Sequence, residues 1–280
     1  MARQIYAVIG NPIAHSLSPV MQNAAFRALD LDAEYVPIHV LNDEVAAFVE
    51  KAGKTLCGFN ITVPHKKAVI PCLDEVEENA RIAGSVNTVT IRDGKLSGCS
   101  TDGYGLQTAL EEAFSFEIKG NDLLFAGCGG AARAVAFHFA RMGLRKLYIL
   151  NRTLETAQNL IRDVQQYYPA MEGEAAALSD KECCQEFLRK VPVMIQCTSL
   201  GLHPEDPSPV PLEFLHRDLQ VFDTIYKPTA LLRYCKENRI RYATGLGMLL
   251  HQGARSFSIW TGREAPLEVM RNALPPIPGL

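Results

Sequence analysis

Short apolar runs of four to six residues alternate with longer stretches in which apolar side chains recur every three or four positions. This alternation predicts strands threaded by helices, an α/β layering with mostly parallel strands. In the first hundred residues the pattern predicts strands at 5–9, 35–40, 58–63, 86–91 and 96–99. Helices are expected at about 19–29, 44–52, 75–82 and 101–116, the first with Ser18 as N-cap and Pro19 in its first turn. The pattern restarts at Asp122, where strands at 123–126, 146–150, 193–196 and 219–222 alternate with helices running to Met142 and over 154–168. That is a doubly wound layout. Helices at 248–260 and 267–273 follow with no strand between them. The expectation is a two-domain α/β protein: an N-terminal α/β domain over 1–102, with 243–280 packing back onto it, and a Rossmann-type domain over 103–242.

Composition narrows the field. Among 280 residues, 48% are hydrophobic and 21% charged, which fits a globular chain and excludes collagen, coiled coil and disorder. A net charge of −3 gives no basic footprint for nucleic acid or an acidic membrane. No apolar run approaches the ~20 residues of a membrane span. Met1-Ala2-Arg3-Gln4 leads straight into a strand without the layout of a signal peptide. Eight cysteines share no repeated spacing and form no Cys-x-x-Cys pair, so reduced thiols in the cytoplasm and no metal site are expected.

Candidate chemistry lies at strand ends. Gly127-Cys128-Gly129-Gly130-Ala131-Ala132 follows one strand directly and opens a helix. Glycines let a backbone turn sharply and approach a pyrophosphate, whose charge the helix N-terminus favours. A plain structural turn is the alternative reading. The next strand ends in Asn151-Arg152-Thr153, with no carboxylate before Glu155. A carboxylate would repel a ribose 2′-phosphate, whereas a guanidinium and a hydroxyl accept it, so NADP is favoured over NAD. In the first domain, Asn60-Ile61-Thr62-Val63-Pro64-His65-Lys66-Lys67 ends a strand, where open α/β sheets place ligands. An ammonium there can exchange a proton with a substrate oxygen. Ser16, Ser18, Asn60, Thr62, Asn87, Thr88 and Asp102 all fall at strand ends or caps and suit a polyhydroxylated ligand, although each is also an ordinary turn residue. These residues support an NADP-linked oxidoreductase with a small polar substrate.

Seven ordered segments together resemble the shikimate dehydrogenase family nearly end to end. They are Gly10-Asn11-Pro12-Ile13-Ala14-His15-Ser16-Leu17-Ser18-Pro19; Asn60 to Lys66; Ala83-Gly84-Ser85-Val86-Asn87-Thr88; Thr101-Asp102-Gly103; Asn151-Arg152-Thr153; Thr198-Ser199-Leu200-Gly201; and Gly245-Leu246-Gly247-Met248-Leu249-Leu250-His251-Gln252-Gly253. The resemblance implies a substrate-binding catalytic first domain and an NADP-binding second one. It implies Lys66 as proton donor and acceptor at the substrate C3 oxygen, with Asp102 beside it. Ser16 and Ser18 would hold the substrate carboxylate, with Asn60, Thr62, Asn87, Tyr226 and Gln252 completing the shell. Gly127, Gly129, Gly130, Ala131, Asn151, Arg152, Thr153, Thr198 and Gly245 would bind NADP. The implied reaction is reversible reduction of 3-dehydroshikimate to shikimate, in a monomer or homodimer with no nucleic-acid or membrane partner.

The chain departs from the family pattern at Ser100, Gln196-Cys197, Leu202 and a shortened stretch after Tyr226. These differences put the nicotinamide-side loops in question more than Lys66 or Asp102. Rival readings are a quinate/shikimate dehydrogenase of broader specificity, a methylenetetrahydrofolate dehydrogenase and a non-catalytic shikimate or NADP sensor. The second would need aromatic partners for a pterin, and the first domain shows no aromatic cluster near its motifs. The third has no need of a titrating lysine.

Overall fold

A computed structural model describes residues 3–280, so Met1 and Ala2 of the N-terminal opening lie outside it. The chain divides into two compact units. One runs to Gly105 and takes back Leu249–Pro275; the other comprises Leu106–Met248 and Pro276–Leu280.

The first unit holds β1 (Gln4–Gly10), α1 (Ser18–Ala28), β2 (Ala33–His39), α2 (Val45–Thr55), β3 (Gly58–Ile61), β4 (Glu75–Val76), α3 (Glu78–Ala83), β5 (Thr88–Arg92) and β6 (Lys95–Cys99). Its sheet has the order β2-β1-β3-β5-β6-β4. The sheet is mostly parallel, as expected, with one antiparallel strand: β1 pairs in parallel with β2 and β3, and β4 with β6, but β5 runs antiparallel to β3 and β6. Only a two-residue loop, Asp93-Gly94, joins β5 to β6, too short for a parallel crossover. Successive β1 residues face opposite sides of the sheet. Ala7 and Ile9 join Val45, Val49, Phe59 and Ile61 in one buried cluster. Tyr6 and Val8 join Met21, Phe26, Tyr35, Phe257, Trp260 and Met270 in another. Burying each such large side chain contributes roughly 1.5–3 kcal/mol.

Two of those aromatics belong to α9 (Gly245–Thr261), and Met270 to α10 (Leu267–Ala273). The C-terminal helices are therefore part of the first unit's core. The fit is close. A Cβ on Gly58 would lie 2.6 Å from Trp260 Nε1, and one on Gly253 would lie 2.2 Å from the Met21 methyl. The Trp260 indole donates to the Val89 carbonyl at 3.0 Å.

The second unit carries most of α4 (Asp102–Phe114), then β7 (Asp122–Ala126), α5 (Gly130–Arg141), β8 (Lys146–Asn151), α6 (Leu154–Tyr167), β9 (Glu172–Ala177), α7 (Lys181–Lys190), β10 (Val193–Gln196), β11 (Gln220–Asp223), α8 (Ala230–Glu237) and β12 (Arg241–Thr244). Its six strands are all parallel in the order β12-β11-β10-β7-β8-β9. This is the doubly wound order, with β7 and β10 flanking the switch point. Among the described residues no helix is long and apolar enough to cross a membrane.

Several expectations shift. Strand β9 reads Glu-Gly-Glu-Ala-Ala-Ala, poor strand formers, and exists because it pairs along β8 at the sheet edge. Helix α7 buries only Cys184, Phe187 and Leu188. The segment expected as a helix over 75–82 is divided: Glu75–Val76 pairs with β6, and α3 starts at Glu78 and ends at Gly84, which adopts φ +64°. Ser18 is the first residue of α1 rather than its cap, and the helix-end N–H of Ser18 goes instead to Ser16 Oγ at 3.3 Å.

Candidate active site

The polar residues of the first unit converge where β1 and β3 end. After β3 the chain turns through Thr62-Val63-Pro64, with the His65 N–H bonded to the Thr62 carbonyl at 3.0 Å. This turn sends two neighbouring side chains in different directions. His65 is buried and its Nε2 bonds the Val40 carbonyl at 2.7 Å, so it is spent on the core. Lys66 Nζ instead lies 2.6 Å from Asp102 Oδ2, with both side chains largely buried and Lys67 left exposed. A charge-assisted contact in so little water is strong, and removing one partner strands the other charge.

Asp102 is the first residue of α4, where the unpaired N–H groups favour a carboxylate. Its second oxygen accepts from Asn87 Nδ2 at 2.9 Å. Asn87 Oδ1 in turn accepts the Thr101 N–H at 2.8 Å, which fixes the amide's orientation. Gln252 on α9 brings Oε1 to 3.3 Å from Asn87 Nδ2 and anchors its Nε2 on the Leu249 carbonyl at 2.9 Å. Lys66, Asp102, Asn87 and Gln252 are thus held in one network.

Asn60 joins that network from below. Its Nδ2 donates toward the Asn87 carbonyl, Thr88 Oγ1 and Ser256 Oγ at 3.0, 3.0 and 3.1 Å. Its Oδ1 accepts from the Tyr35 hydroxyl at 2.7 Å. Burial holds the Tyr35 phenol well above its ordinary range, so it remains a donor. Ser256 also donates to the Gln252 carbonyl at 3.0 Å, one helical turn back. Tyr35 and Ser256 are supporting residues that sequence reading missed, and Thr101, present in a recognised segment, had been given no role. Ser256 had one available signal, its four-residue spacing from Gln252 on a helix.

Ser16 and Ser18 bond each other at the start of α1, and Ser18 is buried. Because Ser16 supplies the helix-end acceptor, the Ser18 hydroxyl is not consumed by capping. Thr62 is half-buried, and its methyl would lie 2.5 Å from a Cβ on Gly10, so only glycine lets β1 pass that close. Tyr226 belongs to the second unit, where burial pushes its phenol up.

In the second unit, Gly127 adopts φ +98°, and a Cβ there would lie 2.6 Å from the Thr198 methyl. Gly129 and Gly130 have open space where side chains would stand, at the N-terminus of α5. Ala131 is half-buried and Ala132 buried. Free N–H groups, a bare backbone and open space fit a pyrophosphate. Asn151 Nδ2 donates to the Thr153 carbonyl at 2.9 Å, while the exposed Arg152 makes no ion pair among the described residues. Glu155 sits exposed in the first turn of α6. Gln196 is fully buried, and its amide braces the following loop, accepting the Thr198 N–H at 2.5 Å and donating to the Leu200 carbonyl at 2.8 Å. This departure from the family pattern therefore supports the loop. Gly245 opens α9, and a Cβ there would lie 2.0 Å from the Thr224 carbonyl oxygen. Ser100 Oγ is buried without a hydrogen-bond partner among the described residues, and Leu202 is exposed.

Comparison with known proteins agrees with this geometry. Residues 8–89 match the shikimate dehydrogenase substrate binding domain. Residues 108–200 match the shikimate/quinate 5-dehydrogenase family, and 245–274 the shikimate 5′-dehydrogenase C-terminal domain. The shikimate dehydrogenase (NADP(+)) of Desulforamulus reducens is 42% identical, covering 97% of this chain and 94% of that one. A crystal structure of shikimate 5-dehydrogenase from Listeria monocytogenes with shikimate and NAD superposes with a TM-score of 0.89 at 32% identity, covering 96% and 95% of the two chains. The Thermus thermophilus enzyme with NADP(H) and shikimate gives 0.84 at 33%, covering 96% and 98%. With a lysine–aspartate pair in one unit, an open glycine turn in the other and relatives of this identity along nearly its whole length, the chain belongs to the shikimate dehydrogenase family.

Proposed function

We propose that this chain catalyses the reversible reduction of 3-dehydroshikimate to shikimate with NADPH, the first unit binding the substrate and the second the cofactor. The observation that carries the reading is the Lys66–Asp102 contact of 2.6 Å at the end of β3, fixed from behind by Asn87. When bound, the dihydronicotinamide supplies the hydride that adds to C3. Lys66 donates a proton to the C3 oxygen, converting carbonyl to hydroxyl, and takes it back in the oxidising direction. Asp102 orients the ammonium and accepts from the neighbouring substrate hydroxyl. Ser16 and Ser18 donate to the carboxylate. The protons of Asn60 Nδ2 are already spent inside the protein, so Asn60 offers substrate an acceptor, the remaining lone pair of Oδ1. Thr62, Asn87 and Gln252 complete the contacts within the first unit.

Gly127, Gly129, Gly130 and Ala131 admit the pyrophosphate. Asn151, Arg152 and Thr153 take the adenosine ribose with its 2′-phosphate, and Thr198 and Gly245 border the nicotinamide. Eight free cysteines suit a reducing, cytoplasmic setting. Mixing purified protein with NADP and shikimate tests the reading: absorbance at the nicotinamide band rises. An unchanged absorbance with shikimate, or an equal rise with quinate and NAD, overturns it.

A further inference from the structure

Asp223 is the last residue of β11 and is fully buried. Neither the proton-transfer chemistry nor the glycine turn uses it. One carboxylate oxygen accepts the Ile225 N–H at 3.0 Å, and the other accepts the Thr229 hydroxyl at 2.8 Å. The Thr229 hydroxyl oxygen in turn accepts the Leu232 N–H at 3.1 Å, capping α8. A single side chain thus ties the end of β11 to the start of α8, and Tyr226 lies on the short tether between the two bonds.

The tether is packed against two other strand ends. Thr224 donates its hydroxyl to the Gln196 carbonyl at 2.8 Å, at the end of β10. The Ile225 carbonyl accepts the Gly245 N–H at 3.3 Å, just past β12. The Thr229 methyl occupies the space where a Cβ on Gly201 would stand, 2.5 Å away. Asp223 is in register with Gln196 on one side and Thr244 on the other. Its two hydrogen bonds therefore set the relative positions of the segments bearing Thr198, Tyr226 and Gly245, at the carboxyl edge of the sheet where doubly wound proteins bind ligands.

We propose that ionised Asp223 is a positioning residue for nicotinamide nucleotide binding, acting through the 224–229 tether and lost when the carboxylate is protonated. The inference rests on the functional reading above. Both bonds to Asp223 come from donors, so the carboxylate form satisfies them and a protonated oxygen opposes one of them. Burial pushes the Asp223 carboxyl up to about 6, against the two hydrogen bonds that lower it. The titratable groups facing it are the Cys197 thiol beyond β10 and the Cys235 thiol of α8, both themselves pushed up by burial and neutral. No cation pairs with it among the described residues.

The test measures NADPH binding by fluorescence at pH 7.5 and pH 5.5 for wild type, Asp223→Asn, Thr229→Val and Thr229→Ser. At pH 7.5, Asp223→Asn and Thr229→Val are expected to weaken binding about 5- to 20-fold, the worth of one or two hydrogen bonds. Thr229→Ser keeps wild-type affinity. Wild type loses affinity at pH 5.5 by more than Asp223→Asn does; the slope left in that variant belongs to the cofactor's own phosphate. If Asp223→Asn fails to fold, the Thr229 pair carries the test. Equal affinity and equal pH dependence in wild type and variants overturn the inference alone, as does a lowered melting temperature with unchanged binding. If wild type binds no nicotinamide nucleotide, the functional reading fails and this inference with it.

Discussion

The two units solve opposite problems with the same α/β plan. In the first, polar side chains satisfy one another: Lys66, Asp102, Asn87, Gln252, Asn60, Thr88 and Ser256 form one hydrogen-bonded network with most members buried. In the second, the glycine turn and the exposed Arg152 leave groups open. The contrast fits the roles proposed for each. Proton transfer needs groups fixed before substrate arrives, since reorganisation during the reaction costs rate. Phosphates are large and charged, and bare N–H groups with an exposed guanidinium suffice to hold them. Substitutions in the first unit should therefore cost turnover, and those in the second should cost affinity and choice of cofactor.

The largest effect is expected at Lys66. Lys66→Ala lowers the turnover number by about 10²–10⁴, the usual worth of a general acid–base group. Changes at its neighbours His65 and Lys67 stay within a few-fold in steady-state rate, because His65 faces the core and Lys67 faces solvent. Steady-state kinetics in which Lys67→Ala behaved like Lys66→Ala would erase the distinction.

Asp102→Asn comes next and damages both sides of the division at once. It removes the charge beside Lys66 and turns an acceptor of the Asn87 amide into a competing donor. Shikimate KM rises and turnover falls together, by about tenfold or more each, since hydrogen bonds to charged groups contribute roughly 1.5–3 kcal/mol. Unchanged affinity measured alongside unchanged rate would remove Asp102 from the site.

In the second unit Arg152→Ala is expected to cost affinity alone. A charge-assisted bond to the 2′-phosphate corresponds to roughly 10- to 150-fold, so kcat/KM with NADP falls by that order while NAD kinetics stay nearly constant. A wild type with equal efficiency for both cofactors would break the comparison at this point.

A further expected effect concerns stability rather than activity. His138 on α5 bonds Gln107 at 2.7 Å, and burial, helped by the nearby Arg141 charge, brings its imidazole down to about 4. The unfolded chain takes up this proton near its ordinary 6.5, before the folded protein does. The stability tied to neutral His138 is therefore complete above pH 6.5 and declines as pH falls toward 4, by on the order of 2–3 kcal/mol. Urea unfolding at pH 7 and pH 4.5 should show a smaller decline for His138→Gln than for wild type.

The two units also differed in how readily the sequence revealed them. Strands β7, β8 and β10 were readable because buried parallel strands are short, continuous apolar runs between turn residues. The glycine turn and Asn151-Arg152-Thr153 are local, so their meaning survives in a linear reading. Edge strand β9 was not readable, because its Glu, Gly and Ala residues gain strand geometry only from pairing with β8. The supporting network was hidden for a different reason. Asn60 and Ser256 are separated by 196 positions, and Tyr35 reaches Asn60 from a third element. Motif resemblance named Thr101 and the ends of that network; only folding showed that Tyr35 and Ser256 fill it.

In the proposed reaction the first unit separates holding the substrate from moving its proton. Calorimetric titration of shikimate into folded Lys66→Ala protein, paired with turnover on the same sample, tests it most directly. A dissociation constant within a few-fold of wild type is expected alongside the loss of turnover, because Ser16, Ser18, Asn87 and Gln252 remain in place. Retained turnover, or binding lost together with it, would show that Lys66 does not serve proton transfer apart from substrate binding.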